Sequence, residues 1–194
     1  MSRFSWESAA SRGSKYPRAE GISHSREVHG ALIEFDVQYG TFPNASTIPK
    51  VRNDTATSLD LGTKSSNDYL RQILALGFGN EKMFGIRSRR FSMPDNRFDG
   101  AEALKRGECG FAYVVGLSTS DDPTTPLLIT PVIPGSNRFD PDPFYHKAVI
   151  LRIDGSAMSY PIMKDGKIDM GGGVHLDPAK PMWNGKPLII AWPE

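Results

Sequence analysis

The sequence predicts an α+β fold in which an N-terminal helix packs on an antiparallel β-sheet. Three observations carry this expectation. Apolar residues recur at helical spacing before about residue 77, and short apolar runs of strand length dominate after it. Fifteen prolines and nineteen glycines supply the turns of a chain made of short elements. At 194 residues, 39% hydrophobic and 23% charged, the chain suits one domain with its own core.

Residues 1–21, rich in Ser, Gly and Arg with Pro17 and Gly21 as breakers, read as a flexible N-terminal arm, and residues 22–194 as the globular domain. From about Ser23 the pattern is helical. Val28, Leu32, Phe35 and Tyr39 follow one another at spacings of four, three and four, with Ala31 beside them, and form the stripe expected to close one face of the sheet. Gly40 ends this helix and Pro43 forbids its resumption. A polar loop follows over 44–64. Ser65, Ser66, Asn67 and Asp68 signal a second helix start, carried on by Leu70, Ile73 and Leu74 and closed by Gly77 and Gly79.

Beyond this point the period shortens. Met83–Ile86 reads as a short strand, followed by a basic loop to about Arg97 and a short helix over Asp99–Gly107. Phe111–Val115 and Leu127–Val132 read as strands, with Pro131 restricting the latter to an edge or a strand end. In Lys147–Ile162, Val149, Leu151 and Ile153 give one apolar face, and Asp154-Gly155 suits a two-residue hairpin turn. Asp165-Gly166 offers a further turn, Gly171–Gly173 a flexible loop, and Leu188–Trp192 a last strand. No internal repeat is present.

Charge and cysteine content narrow the function classes. A net charge of +1 argues against a nucleic-acid binder, and Arg87–Arg90 reads as a solvated basic loop. Cys109 stands alone, which excludes an intramolecular disulfide, and its apolar setting reads as a small buried hydrophobe. His24, His29, His146 and His175 are scattered, so histidine metal ligation is poorly supported. No apolar run reaches the ~18 residues of a membrane span.

Asp140 and Asp142, with Asp121 and Asp122 on an earlier loop, are the candidate metal ligands, because hard oxygens from loops suit calcium. The neighbouring prolines give the simpler reading of rigid turns. No organic cofactor is implied. A hydrolase built on Asp140 and Asp142, or on Asp154, is the alternative function: an aspartic-type peptidase or a glycan-active enzyme. Against it, Asp154-Gly155-Ser156 has the wrong order for an aspartic-peptidase turn, and no Gly-x-Ser-x-Gly elbow occurs. Phe139, Phe144, Tyr145 and Trp183 are either core plugs or surface contact residues.

The run Ala31-Leu32-Ile33-Glu34-Phe35-Asp36-Val37-Gln38-Tyr39-Gly40-Thr41-Phe42-Pro43 resembles the end of the long helix in type IV pilins and type II secretion pseudopilins. Gly107–Val114, Thr130–Gly135, Phe139–Pro141, the hairpin Ala148–Tyr160 and the ending Trp192-Pro193-Glu194 are similar to prepilin-like proteins with a large C-terminal region. The resemblance covers about residues 23–194. It implies a pilin-like fold and a non-enzymatic structural subunit, or minor pseudopilin, of a pilus or secretion fibre. The implied partners are other subunits of that fibre, with a secretion-system or host-surface protein as a further candidate. The implied location is extracytoplasmic, at the periplasmic face of the inner membrane or on the cell surface. Family precursors also carry a basic leader, a cleavage site before Phe and an apolar helix of membrane length. None of these stands in this sequence, and the expectation is that the anchor half was removed and Met1 introduced.

Overall fold

The computed structural model describes residues 16–168 and 176–194. The first fifteen residues of the expected arm, Gly171–Gly173 and His175 lie outside the described residues. The class is α+β: the described residues form three helices and one five-stranded antiparallel sheet.

Helix α1 spans Tyr16–Tyr39 and starts earlier than its apolar stripe announces. Pro17 sits in the first turn, where its missing N–H breaks no helical bond, so it starts the helix rather than stopping it. Gly21 is buried and faces the Phe144 ring. Val28, Leu32 and Phe35 have no exposure, whereas Tyr39 is half-buried. The outward stripe runs through Ala19, Ser23, Arg26, Gly30, Glu34 and Val37. Gly40, at φ +74, ends the helix and donates its N–H to Asp36 O at 2.7 Å.

The expected polar loop contains a helix, α2 (Ile48–Thr55). Pro49 lies in its first turn, and only Val51 is fully buried, so no apolar period announced it. Helix α3 (Ser66–Ala75) begins where its cap signals it: Ser65 is extended and its side chain accepts from Asp68 N at 3.2 Å. The expected strand Met83–Ile86 is instead a 3₁₀ turn, Glu81–Phe84, and the expected helix at Asp99–Gly107 shrinks to a 3₁₀ turn at Gly100–Glu102. Leu104 at φ +45 prevents that helix from continuing.

The strands are β1 (Ala112–Val115), β2 (Pro126–Thr130), β3 (Lys147–Arg152), β4 (Ala157–Pro161) and β5 (Ile189–Ala191), in the order β4-β3-β2-β1-β5. β2 is therefore the middle strand, and Pro131 falls one residue past its end, where no ladder bond is lost. The β3–β4 connection is a three-residue loop, Ile153-Asp154-Gly155, not a two-residue one. Arg152 N donates to Ser156 O, Gly155 N donates back to Arg152 O, and only Gly155 takes a positive φ, +80. This is a type I turn closed by a glycine bulge, and it needs left-handed backbone at one residue rather than two. A Cβ at Gly155 would stand 2.9 Å from His29 Cε1, so both φ and space require glycine there.

Strands β1, β2 and β3 are buried on both faces, whereas edge strand β4 is partly open to solvent. Helix α1 lies across β3 and β4, and its stripe meets Val149, Leu151 and Ile153. Ala148, Ile150, Ile129 and Ala112 face the other way, under Val132, Phe139, Ile162, Ile168 and Leu176 of the C-terminal loops. Phe139, Phe144 and Trp183 are core residues, while Tyr145 is exposed. Cys109 is fully buried, and burial pushes its thiol up to about 11. A thiol reagent at about pH 8 is expected to label the chain only after denaturant is added, because the thiolate is scarce and shielded. Rapid stoichiometric labelling of the native chain would show that this segment opens.

Candidate functional site

The first candidate is the junction where α1 ends. The Phe35 and Tyr39 rings meet in a tilted pair with centroids 4.7 Å apart, and Tyr39 Oη donates to Asp54 Oδ2 of α2 at 2.9 Å. Partial burial, then the hydrogen bond to Asp54 and its charge, push the Tyr39 phenol up to about 12. Downstream, Phe42 N and Thr41 Oγ1 both donate to Leu117 O, at 3.1 Å each, and Tyr113 Oη donates to Pro43 O at 2.8 Å. Asp36, also buried, accepts from the Thr119 hydroxyl. Tyr39-Gly40-Thr41-Phe42-Pro43 thus ties the helix end to β1 and the loop after it. The docking ring is Phe35, and Tyr39 reaches outward to α2.

The second candidate is a cleft of about 850 Å³ between the first turn of α1 and the loop before β3. Its lining includes Pro17, Arg87, Arg89, Arg90, Asp140 and His146. The basic run therefore walls a concavity. Arg90 pairs with Asp140 Oδ2, and Asp140 Oδ1 accepts from Asp142 N at 3.0 Å. Both Asp140 oxygens are engaged, one by a cation and one in a turn, while Asp142 is exposed. Tyr145 and His146 sit at φ +52 and +57, a strained pair held by His146 N donating to Pro141 O at 2.8 Å.

The structure does not bring the three nominated aspartates together. Asp140 precedes β3 and Asp154 follows it, so the two lie at opposite ends of a strand about 17 Å long. Asp154 accepts from Ser156 N at 2.8 Å. Burial raises its carboxyl, but hydrogen bonds from Ser156 and the charges of Arg152 and His29 together hold it below the usual range. Asp121 pairs with Lys186 at 2.5 Å, and Asp122 accepts from Thr124 N at 2.8 Å in a turn.

No sequence pattern announces the polar hub on α3, whose residues Ser66–Leu74 are all buried. Asn67 Nδ2 donates to Leu104 O at 2.8 Å, Gln72 Oε1 accepts from Thr47 Oγ1 at 2.6 Å, and Arg71 pairs with Asp68 at 2.7 Å. Polar residues interleaved with apolar ones read as a solvated face, and only the partners reveal otherwise. Among known protein families, curated proteins and solved structures, none matches this chain.

Proposed function

We propose that this chain is the globular domain of a pilin-like structural subunit, acting through packing rather than turnover. The observation that carries this reading is the 24-residue α1 laid across an antiparallel sheet, ending at Tyr39-Gly40 and fastened to β1 through Thr41-Phe42-Pro43. Helix-on-sheet closure at this motif is what the resemblance implies. In this reading the domain lies outside the cytoplasm, and the outward stripe of α1 faces neighbouring subunits. Val37, 82% exposed on that stripe, is the apolar residue such a neighbour would cover.

Isolated, the domain presents a mostly polar rim and is expected to be a monomer near 21.4 kDa by light scattering at micromolar concentration. Val37→Cys supplies the decisive test, since native Cys109 is buried. In the envelope of cells that make the protein, oxidation of this variant should give a disulfide-linked dimer, the largest product that one accessible thiol per chain allows. Recovery of monomer alone, with the variant correctly folded, would overturn the subunit reading.

A further inference from the structure

Three carboxylates from separate loops converge beside the Leu104 turn, which Asn67 of α3 holds through Leu104 O. Asn80 caps the 3₁₀ turn, accepting from Lys82 N at 3.0 Å, and this sets Glu81 inward with no exposure. Glu108, 1% exposed, accepts from Lys105 N at 3.0 Å and from Asp95 N at 3.3 Å. Asp95 completes the group from the exposed side. The loop bearing it packs so closely on Gly85 that a Cβ there would stand 2.4 Å from Pro94, and Ser92 N donates to Gly107 O at 2.9 Å. One oxygen from each of Glu81, Asp95 and Glu108 lies within 4.8 Å of the others.

The local polar accounts are incomplete at one atom. Glu81 Oε1 accepts from Leu104 N, but Oε2 is buried with no partner. Burial first, and the charge of Glu81 second, raise the Glu108 carboxyl. The nearest cation, Lys105, lies 2.6 Å from Asp95 and 3.8 Å from Glu108 at the mouth. One ammonium against three carboxylates leaves two formal negative charges in a largely dry site, which is costly unless a cation is added.

We propose that Glu81, Asp95 and Glu108 form a calcium site that fastens the Asp95 loop and the Leu104–Glu108 turn onto the Glu81 turn. The oxygens are hard and come from loops. Two oxygens on one calcium ion stand at most about 4.6–5.2 Å apart, and the three carboxylates approach within 4.8 Å of one another. Exposed Asp95 marks the entry path, and the half-exposed Lys105 is free to turn towards Glu102, 3.5 Å away, as the ion enters. Water supplies the remaining ligands.

The test uses the whole chain, stripped with chelator and then titrated with calcium chloride by calorimetry and melting. With calcium about tenfold above its dissociation constant, the melting temperature should rise by about 3–6 °C. Glu81→Gln should abolish that rise and, in chelator, melt higher than the parent chain, since it removes the unpartnered charge. Asp95→Asn, at an exposed position that leaves folding intact, should weaken binding about tenfold or more. Asp140→Asn should keep the full response. Absence of both heat and melting shift in the stripped parent would overturn the site. So would a calcium response that survives in the Glu81→Gln, Asp95→Asn double variant, or one lost in Asp140→Asn.

Discussion

Phe35→Ala is expected to destabilise the protein by about 3–5 kcal/mol, the cost of emptying a buried aromatic site that cannot collapse. Phe35 has no exposure and stands in the middle of the α1 stripe, between the helix and the strands it crosses. Tyr39 has the same place in the sequence pattern and a different one in the fold. It is half-buried, with its hydroxyl on Asp54, so Tyr39→Ala should cost only about 1–2 kcal/mol, the share of one hydrogen bond and a partly covered ring. Urea unfolding of both variants measures the contrast. A loss below about 1 kcal/mol for Phe35→Ala would mean that α1 is not docked on the sheet in solution.

That contrast shows how far the sequence is legible. Periodicity reports which residues of a helix turn inward, and it found Val28, Leu32 and Phe35. At the C-terminal end of the helix, it has no means to report that Tyr39 meets α2 instead. Local chemistry was equally informative at Ser65, whose side chain caps α3, and at Asp154-Gly155, where a turn was expected and its length was not. The helix α2 leaves no periodic mark, because one buried residue, Val51, makes no period. The carboxylates at 81, 95 and 108 lie on loops without helical or strand spacing. What joins them is the packing of Pro94 on Gly85 and the hydrogen bonding of the Leu104–Glu108 turn, neither of which leaves a mark in the chain. Asp140 and Asp142 stand two residues apart in sequence, yet Asp140 spends its oxygens on Arg90 and on a turn.

Arg71→Ala should cost about 3–5 kcal/mol, because removing one partner of a buried ion pair strands the other. Arg71 is 5% exposed, and its guanidinium donates to Ala103 O at 2.7 Å, Leu104 O at 3.2 Å, Asp60 O at 3.1 Å and Asp68 Oδ1 at 2.7 Å. Few side chains other than a planar fork could reach all four, so Arg71→Lys should recover only part of the loss. Asp68 would remain paired only with Lys64 N at 2.8 Å, too little for a buried carboxylate. Pairing Arg71→Met with Asp68→Asn should therefore cost less than the two single changes summed, with a coupling of about 2–3 kcal/mol in a double-mutant cycle. Strict additivity would show that the pair is a surface contact in solution. The same substitution reaches the carboxylate cluster, since Arg71 holds the carbonyls of Ala103 and Leu104 and Leu104 N feeds Glu81. Calcium should bind Arg71→Ala more weakly than the parent even at a temperature where both are folded. Equal affinities would mean that the Leu104 turn is held by Glu81 and Asn67 alone.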